Sequence, residues 1–375
     1  VNFINNSSII GTGNNFSYGI YNSATMGNIE NAGVISGSGT GNSGATGNGF
    51  GYGIYNSGTM GNIENAGVIS GAGSGVNGGK GTGSGIYNSG TMGKITNRGI
   101  ISGTGKGNGS GKSYGYGIEN NSGRIGDITN TGLISGAGEG YGIINYSTST
   151  MGKITNRGII SGTGKGNGSG KSYGYGIYNS LSTMGDITNT GLISGTSSSV
   201  ASEGYGIYNN SGTMGNITNV GIIRGTGEGK GAASGTGSSN SEGAGDGTGI
   251  YNKRTMGKIT NRGIIRGTGE GKGAGSGTGE GYGIYNKSTM GNITNTGVIY
   301  GTNNAIKNDK SDNITVNNYG ILVNGKNQDV NAGSISSDNY GLIIKNEGES
   351  ITIRITGTQD ISIPFYDAEE NIMGE

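Results

Sequence analysis

The carboxylates of the glycine-rich segments are the first residues of this chain to consider for chemistry, since it contains neither histidine nor cysteine. Paired carboxylates can perform acid and base catalysis on polysaccharides, and clustered ones can bind calcium. The acidic residues in question are Glu139, Glu203, Glu228, Glu270 and Glu280. Each stands alone between small residues, so we expect solvated charges. The sequence therefore predicts no catalytic residue, no metal site, no cofactor and no enzymatic activity.

Tyrosine forms the second candidate set, because it recurs at one position of a repeated motif. The members are Tyr21, Tyr55, Tyr87, Tyr178, Tyr208, Tyr251 and Tyr285. A stripe of exposed aromatic rings can stack on sugar rings or contact a protein. The alternative is a purely structural ladder of rings along the molecule. Glu119 and Ile144 replace tyrosine in two repeats, and the glutamate predicts a solvated face.

A phosphate-binding loop is suggested by Gly107–Ser113, but the segment is one residue too short for that motif and no helix is predicted after it. The formal net charge of +1 also lacks the basic excess typical of nucleic-acid binding. No stretch of about 18 apolar residues is present to span a bilayer. The sequence predicts neither a nucleic-acid partner nor membrane insertion by this segment.

These residues lie in a tandem repeat that dominates the chain. Nine blocks follow the pattern Y-G-I-Y-N-S-G-T-M-G-x-I-T-N-x-G-x-I-S-G, beginning with Tyr18 to Gly37. Residues 93–118 recur identically as residues 152–177, which indicates growth by duplication. With 89 glycines in 375 residues and 30% apolar residues, one block cannot bury its own isoleucines. Stacking the blocks about 4.8 Å apart would bury them as columns, which is the principle of a solenoid.

The repeat also predicts which residues stack on one another. Ile20 is expected on Ile54, and Ile29 on Ile63. The further predicted columns are methionines, including Met26, Met60 and Met92, and two series of asparagines, one including Asn22, Asn56 and Asn88 and the other Asn31, Asn65 and Asn97. Stacked amides can form hydrogen bonds along a column. A fourth series, Lys94, Asp127, Lys153 and Asp186, would place opposite charges on adjacent rungs.

Each block reads as three short strands separated by turns, because isoleucine, threonine, tyrosine and valine favour strands while glycine and asparagine end them. The glycine-rich inserts between blocks allow two interpretations. They are either surface loops or, where every second residue is glycine, further stacked strands that let another backbone approach closely. Gly103 to Gly111 has such an alternation.

The chain divides into three predicted segments. Residues 1–301 form the tandem-repeat solenoid with its inserts, and residues 302–350 form degenerate rungs. Residues 351–375 contain alternating isoleucines typical of a terminal strand pair, which would cover an open end of the solenoid. The predicted fold is all-β: a right-handed parallel β-helix of about nine glycine-rich rungs with degenerate C-terminal rungs and a cap.

The repeated blocks resemble the passenger regions of bacterial autotransporter adhesins and related surface-exported β-solenoids. The resemblance implies a parallel β-helix at the cell surface or outside the cell. We therefore expect a non-enzymatic structural or adhesive protein, displayed on or shed from a bacterial surface. Its partners would be a host or bacterial surface protein, a glycan, or other copies of itself in end-to-end or lateral association. The alternative is a filament subunit that polymerises by end-to-end stacking.

Overall fold

The computed structural model is an all-β solenoid of stacked parallel strands. It describes residues 2–43, 46–109, 111–165, 171–199, 201–230, 244–272, 279–310, 314–325, 335–346, 350–354 and 360–364. Each regular rung contributes four strands, and the equivalent strands of successive rungs form four columns. We name them the GIYN, TM, ITN and ISG columns after their commonest residues. The predicted parallel β-helix is confirmed.

The strands of each column are as follows. The GIYN column contains Phe16–Asn22, Gly49–Asn56, Gly81–Asn88, Ser113–Asn121, Leu133–Tyr146, Ser172–Ser180, Ser202–Asn209, Gly245–Asn252, Gly281–Asn286 and Asn304–Asn308. The TM column contains Thr25–Met26, Thr59–Met60, Thr91–Met92, Arg124–Ile125, Thr150–Met151, Thr183–Met184, Thr213–Met214, Thr255–Met256 and Thr289–Met290. The ITN column contains Phe3–Asn5, Ile29–Asn31, Ile63–Asn65, Ile95–Asn97, Ile128–Asn130, Ile154–Asn156, Ile187–Asn189, Ile217–Asn219, Ile259–Asn261, Ile293–Asn295, Ile314–Asn318 and Ile335–Asn339. The ISG column contains Ser8–Asn14, Val34–Thr40, Val68–Ser74, Ile100–Lys106, Leu133–Tyr146, Ile159–Lys165, Leu192–Ser199, Ile222–Lys230, Ile264–Lys272, Val298–Gly301, Ile321–Asn324 and Leu342–Asn346.

The register agrees with the stacking that the repeat predicts. Ile20 lies beside Ile54, and Ile29 beside Ile63. Met26 pairs with Met60 in a two-residue strand. The three-strand interpretation of each block was therefore incomplete, because the segment taken as a turn contains this short fourth strand. Its Thr-Met pair fits a strand because one residue points outward while the methionine turns into the core.

The hydrophobic core is a continuous column inside the four sheets. Each regular rung contributes three isoleucines and a methionine, as Ile54, Met60, Ile63 and Ile69 show with 0–2% exposure. Burial of such side chains stabilises the fold by about 1.5–3 kcal/mol each. Since one rung cannot shield these residues alone, stability depends on stacking.

Two asparagine ladders run beside this core. Asn22 Nδ2 donates to Asn56 Oδ1 at 2.7 Å, and Asn31 Nδ2 donates to Asn65 Oδ1 at 2.7 Å. The same contact continues through Asn88 and Asn97 in the next rung. Each amide also donates to main-chain carbonyls, so the buried polar groups are satisfied where the chain turns.

The predicted charge series lies on adjacent rungs, but its contacts differ from the expectation. Asp127 Oδ1 accepts a hydrogen bond from the main-chain nitrogen of Lys153 at 2.9 Å. Asp186 does the same for the nitrogen of Asn216. No ion pair joins the members of this series in the described part of the chain. These hydrogen bonds to main-chain N–H groups hold the carboxylates of Asp127 and Asp186 close to the backbone.

The glycine-rich inserts begin and end as strands, which favours the second of the two interpretations in those parts. The ISG strand Ile100–Lys106 and the GIYN strand Ser113–Asn121 face one another through their glycines. A Cβ atom on Gly103 would lie 2.0 Å from the carbonyl oxygen of Tyr116. Only glycine permits this backbone-to-backbone approach. We call this packed pair of sheet extensions the glycine interface; residues 166–170, 231–243 and 273–278 of the inserts lie outside the described residues.

The C-terminal part of the described chain changes strand direction. Ile321–Asn324 and Leu342–Asn346 extend the ISG column in parallel. Ser350–Arg354 then pairs with Leu342–Asn346 in the antiparallel sense, and Asp360–Pro364 pairs with Ser350–Arg354 likewise. The described residues include no helix with the length and apolar character needed to cross a membrane.

Candidate contact surfaces

The tyrosine stripe lies on the outer face of the GIYN column. The strand pairing passes over the central glycine, Gly53; beyond it Ile54 is buried in the core, Tyr55 is partly exposed and Asn56 enters the ladder. Tyr21 and Tyr55 stack with ring centroids 5.3 Å apart, and Tyr55 and Tyr87 stack at 4.7 Å. The stripe resumes later through Tyr178, Tyr208, Tyr251 and Tyr285, with centroids 4.8–5.3 Å apart. The rings therefore form the ladder of the structural interpretation. Tyr21 is 54% exposed, whereas Tyr208, Tyr251 and Tyr285 are buried.

A second tyrosine column, which the sequence analysis missed, runs beside the first. Its members occupy the position two residues before the core isoleucine. They are Tyr18, Tyr52, Tyr116, Tyr141, Tyr175, Tyr205 and Tyr282. Tyr52 meets Tyr55 edge to face at 5.3 Å. The recurrent Tyr-Gly-Ile-Tyr motif was the available signal, because both of its tyrosines lie on one face.

Burial raises the pKa of several tyrosines in the two columns. It raises the pKa of Tyr175 and Tyr205 well above the ordinary value, and Glu203 raises the pKa of Tyr205 further. Desolvation is likewise the largest cause of the raised pKa of Tyr208. These buried tyrosines therefore present neutral rings and hydroxyl groups, which suit stacking and hydrogen bonding.

Glu119 contradicts the expectation of a solvated face. Its side chain is buried, with Oε2 accepting from Ser84 Oγ at 2.6 Å and Oε1 accepting from the Tyr146 hydroxyl at 2.8 Å. The small Ser84 stands in the second tyrosine column and leaves room for the carboxyl group. Burial raises the pKa of Glu119, and the two hydroxyl donors oppose that effect.

Lysines cover the stripe in its C-terminal part. Lys253 Nζ lies 5.1 Å from the Tyr251 ring centroid, and Lys287 Nζ lies 4.9 Å from that of Tyr285. Lys253 and Lys287 each follow the asparagine of their GIYN strand. The equivalent residue is Ser57 in the second rung and Ser89 in the third. The rings of Tyr21, Tyr55 and Tyr87 are therefore the less covered ones: Tyr21 is 54% exposed, and the other two are partly exposed.

The insert carboxylates do not meet in one place. Glu203 and Glu280 stand on the outer side of the GIYN column, where each accepts a hydrogen bond from a tyrosine hydroxyl. Glu228 and Glu270 stack on each other in the ISG column, on the opposite side of the glycine interface. Glu139 lies beside Tyr114. Within the described residues, no group of three or more acidic side chains is placed to hold a metal ion.

Comparison with protein-family models, with curated proteins and with solved structures gave no significant match to this chain. The contact surfaces are therefore interpreted from their own geometry and from the resemblance of the repeat.

Proposed function

We propose that this chain is a non-enzymatic extracellular structural and adhesive solenoid, displayed on or shed from a bacterial surface. The observation that supports this most is the repetition of the same outward side chains on successive rungs about 4.8 Å apart. A surface of this kind offers many equivalent weak contacts. Such contacts add through multivalency when the partner is itself repetitive.

The proposed contact face is the less covered part of the tyrosine stripe, at Tyr21, Tyr55 and Tyr87. Stacked rings cannot offer their inner faces, but their outward edges remain available to a partner. The Tyr87 hydroxyl already accepts a hydrogen bond from Asn121 Nδ2 at 3.2 Å. Aromatic edges with hydroxyl groups suit a glycan or a protein surface, since one end of tyrosine is apolar and the other is polar. The class of partner we propose is a surface glycan, with a surface protein as the other outcome.

The test is binding of the labelled chain to a printed array of bacterial and animal glycans and to intact cells. We expect replacement of Tyr55 and Tyr87 together by serine to lower binding at least tenfold. Thr59→Ser with Thr91→Ser is the matched control, because these exposed threonines lie on the neighbouring TM column. A Tyr→Phe pair at the same positions keeps the stacked rings and so separates loss of contact from loss of folding. Unchanged binding by the folded serine variant contradicts the proposal.

The second proposal is an extracellular filament formed by end-to-end stacking. It is favoured by the pairing of Phe3–Asn5 and Ser8–Asn14, each of which has a neighbouring strand on one side only among the described residues. The antiparallel strands after Leu342–Asn346 oppose it, because they do not continue the parallel hydrogen-bonding pattern. Electron microscopy over a range of protein concentrations distinguishes the proposals: uniform fibres support the filament, and isolated short rods contradict it.

A further inference from the structure

An aliphatic column lies on the outside of the ISG sheet along most of the solenoid. It arises because each V-I-S-G motif has two adjacent apolar residues, and a strand can turn only one of them into the core. Ile101 is buried, whereas Ile100 is 39% exposed. The register stacks the outward residues Val34, Val68, Ile100, Leu133, Ile159, Leu192, Ile222, Ile264, Val298, Ile321 and Leu342.

The two rows of residues beside this column are uncharged over six rungs, while the outermost row of the same strands carries Lys106 and Lys165. Serine occupies the next outward position, from Ser36 to Ser194, and serine, alanine or threonine the one after, from Ser38 to Thr196. Charge enters these rows only with Arg224 in the following rung. The ITN and GIYN faces, by contrast, carry Glu30, Glu64, Glu203 and several lysines. Within the six rungs Ile100 and Ile159 are 39% and 43% exposed, and the other members of the column are partly exposed. A partly exposed apolar stripe of this kind marks an interaction surface.

We propose that this six-rung ISG face pairs with the same face of a second copy of the chain. Its strands are about 23 Å long, since Val34–Thr40 has seven residues. Six rungs at about 4.8 Å give a face of roughly 650 Å² per copy, close to the roughly 800 Å² per partner of a stable interface. A sheet with the same rung spacing matches this face along its whole length. A second copy provides that match.

Symmetry and charge select an antiparallel arrangement, in which the long axes of the two solenoids run in opposite directions. Consider a two-fold axis that runs parallel to the strands, between the rungs of Ile100 and Leu133. It places the aliphatic column of one copy on the aliphatic column of the other, and the serine row of one copy on the serine row of the other. The flanking exposed column, which contains Arg98 and Arg157, then faces Thr131 and Ala66 of the second copy. A two-fold axis parallel to the solenoid, along the aliphatic column, instead places the serine rows against the arginine-bearing column. The first arrangement therefore packs aliphatic side chains on aliphatic side chains and serines on serines, and it places no arginine opposite another arginine.

Sedimentation equilibrium of the full chain tests the pairing. We expect a reversible monomer–dimer equilibrium, weakened at least tenfold in Kd by Ile100→Glu or Ile159→Glu. These positions are exposed, so the substitutions leave the core intact. The control is Thr96→Glu on the ITN column, which natively carries glutamate at Glu30 and Glu64. A wild-type chain that remains monomeric at millimolar concentration, or an Ile100→Glu chain that dimerises as the wild type does, overturns the proposal.

Spin labels determine the orientation, and the absence of cysteine makes single-site labelling clean. In the antiparallel pair, labels on Thr104→Cys lie on facing adjacent rungs, about 10 Å apart. Labels on Ser38→Cys lie at opposite ends of the interface, roughly 25 Å apart. Short distances at both sites would overturn the antiparallel arrangement. This proposal concerns a different face from the tyrosine stripe, so it can fail while glycan binding persists, and the reverse also holds.

Discussion

Glu119 is a buried carboxyl group at a position of the tyrosine stripe. It stands where seven other rungs have tyrosine, and it replaces a ring with a carboxyl group closed off from water. Desolvation penalises the ionised form, so the pKa of Glu119 is raised in the folded chain. The folded state therefore binds this proton more tightly than the unfolded state. The Glu119 contribution to stability is greatest in acid and falls as the pH rises from the ordinary glutamate pKa through the raised one.

We predict that Glu119→Gln stabilises the chain at pH 7.5 by an amount on the order of 1 kcal/mol and has little effect at pH 4. A neutral amide can keep hydrogen bonds to Ser84 and Tyr146 without the cost of burying a charge. Denaturant unfolding at the two pH values measures the difference. Glu30→Gln, at an exposed position, is the control and should change neither value by more than a few tenths of a kcal/mol. Equal effects of Glu119→Gln at both pH values would show that the carboxyl group is not shielded from water.

The asparagine ladders give a second prediction at this scale. Asn189 Oδ1 accepts from Asn156, and its Nδ2 donates to Asn219, both at 2.8 Å with no solvent exposure. Asn189→Ala removes the donor to the buried Asn219 Oδ1 and one of the acceptors of Asn156 Nδ2, which still donates to the carbonyls of Gly158 and Leu192. We expect a loss of about 3 kcal/mol in the free energy of unfolding. Thr188→Ala, on the exposed side of the same strand, should cost less than 1 kcal/mol; a similar loss for both variants contradicts the ladder.

The glycine interface is the feature that most distinguishes the strands of this solenoid. Neighbouring sheets in proteins normally pack about 10 Å apart, with side chains between them. Here the facing residues lack side chains, and the carbonyl oxygen of Tyr116 occupies the space where Gly103 would carry a Cβ atom. The abundance of glycine therefore reflects packing of the backbone rather than a shortage of structure. It also explains how a chain with few apolar residues builds ordered strands beyond its narrow core.

We predict that Gly103→Ala destabilises the chain by about 3 kcal/mol, because the added methyl group must push the two facing strands apart. The matched control is Thr104→Ala in the same strand. Thr104 points outward, and Ala72 and Ala137 already occupy its position in the adjacent rungs. Thermal unfolding followed by far-ultraviolet circular dichroism measures both variants. Equal melting temperatures for Gly103→Ala and the parent would contradict the close packing.

Much of the element-level architecture could be predicted from the sequence, because the repeat places identical residues in register. The stacking of Ile20 on Ile54 and of Asn22 on Asn56 followed from spacing alone. The burial of Glu119 did not, since it depends on the small Ser84 of the preceding rung, which is distant in sequence. The outward aliphatic column was also missed. Strand alternation signals it, but only after the strand bounds around Val34 and Ile35 are known.

At the scale of the whole molecule, the repeat makes the protein extensible. Each rung contacts mainly its two neighbours, so stability is approximately a sum of rung and interface contributions. The identical stretches 93–118 and 152–177 make equivalent strand contacts in two rungs that are separated by the rung of Ile128. Rungs can therefore be removed or added without altering the local register. This extensibility suits a displayed rod, whose reach and number of contacts grow with its length.

The most direct test of the central claim is the length of a chain from which residues 93–151 are deleted. The deletion joins Met92 to Gly152, removes two rungs and brings Asn156 onto Asn65 in the ladder. Small-angle X-ray scattering measures the maximum dimension and the cross-section of the parent and the deleted chain. The account predicts a rod shorter by about 10 Å with an unchanged cross-section. A deleted chain that keeps the parental length, or that loses its β-sheet signal, would contradict the stacked solenoid.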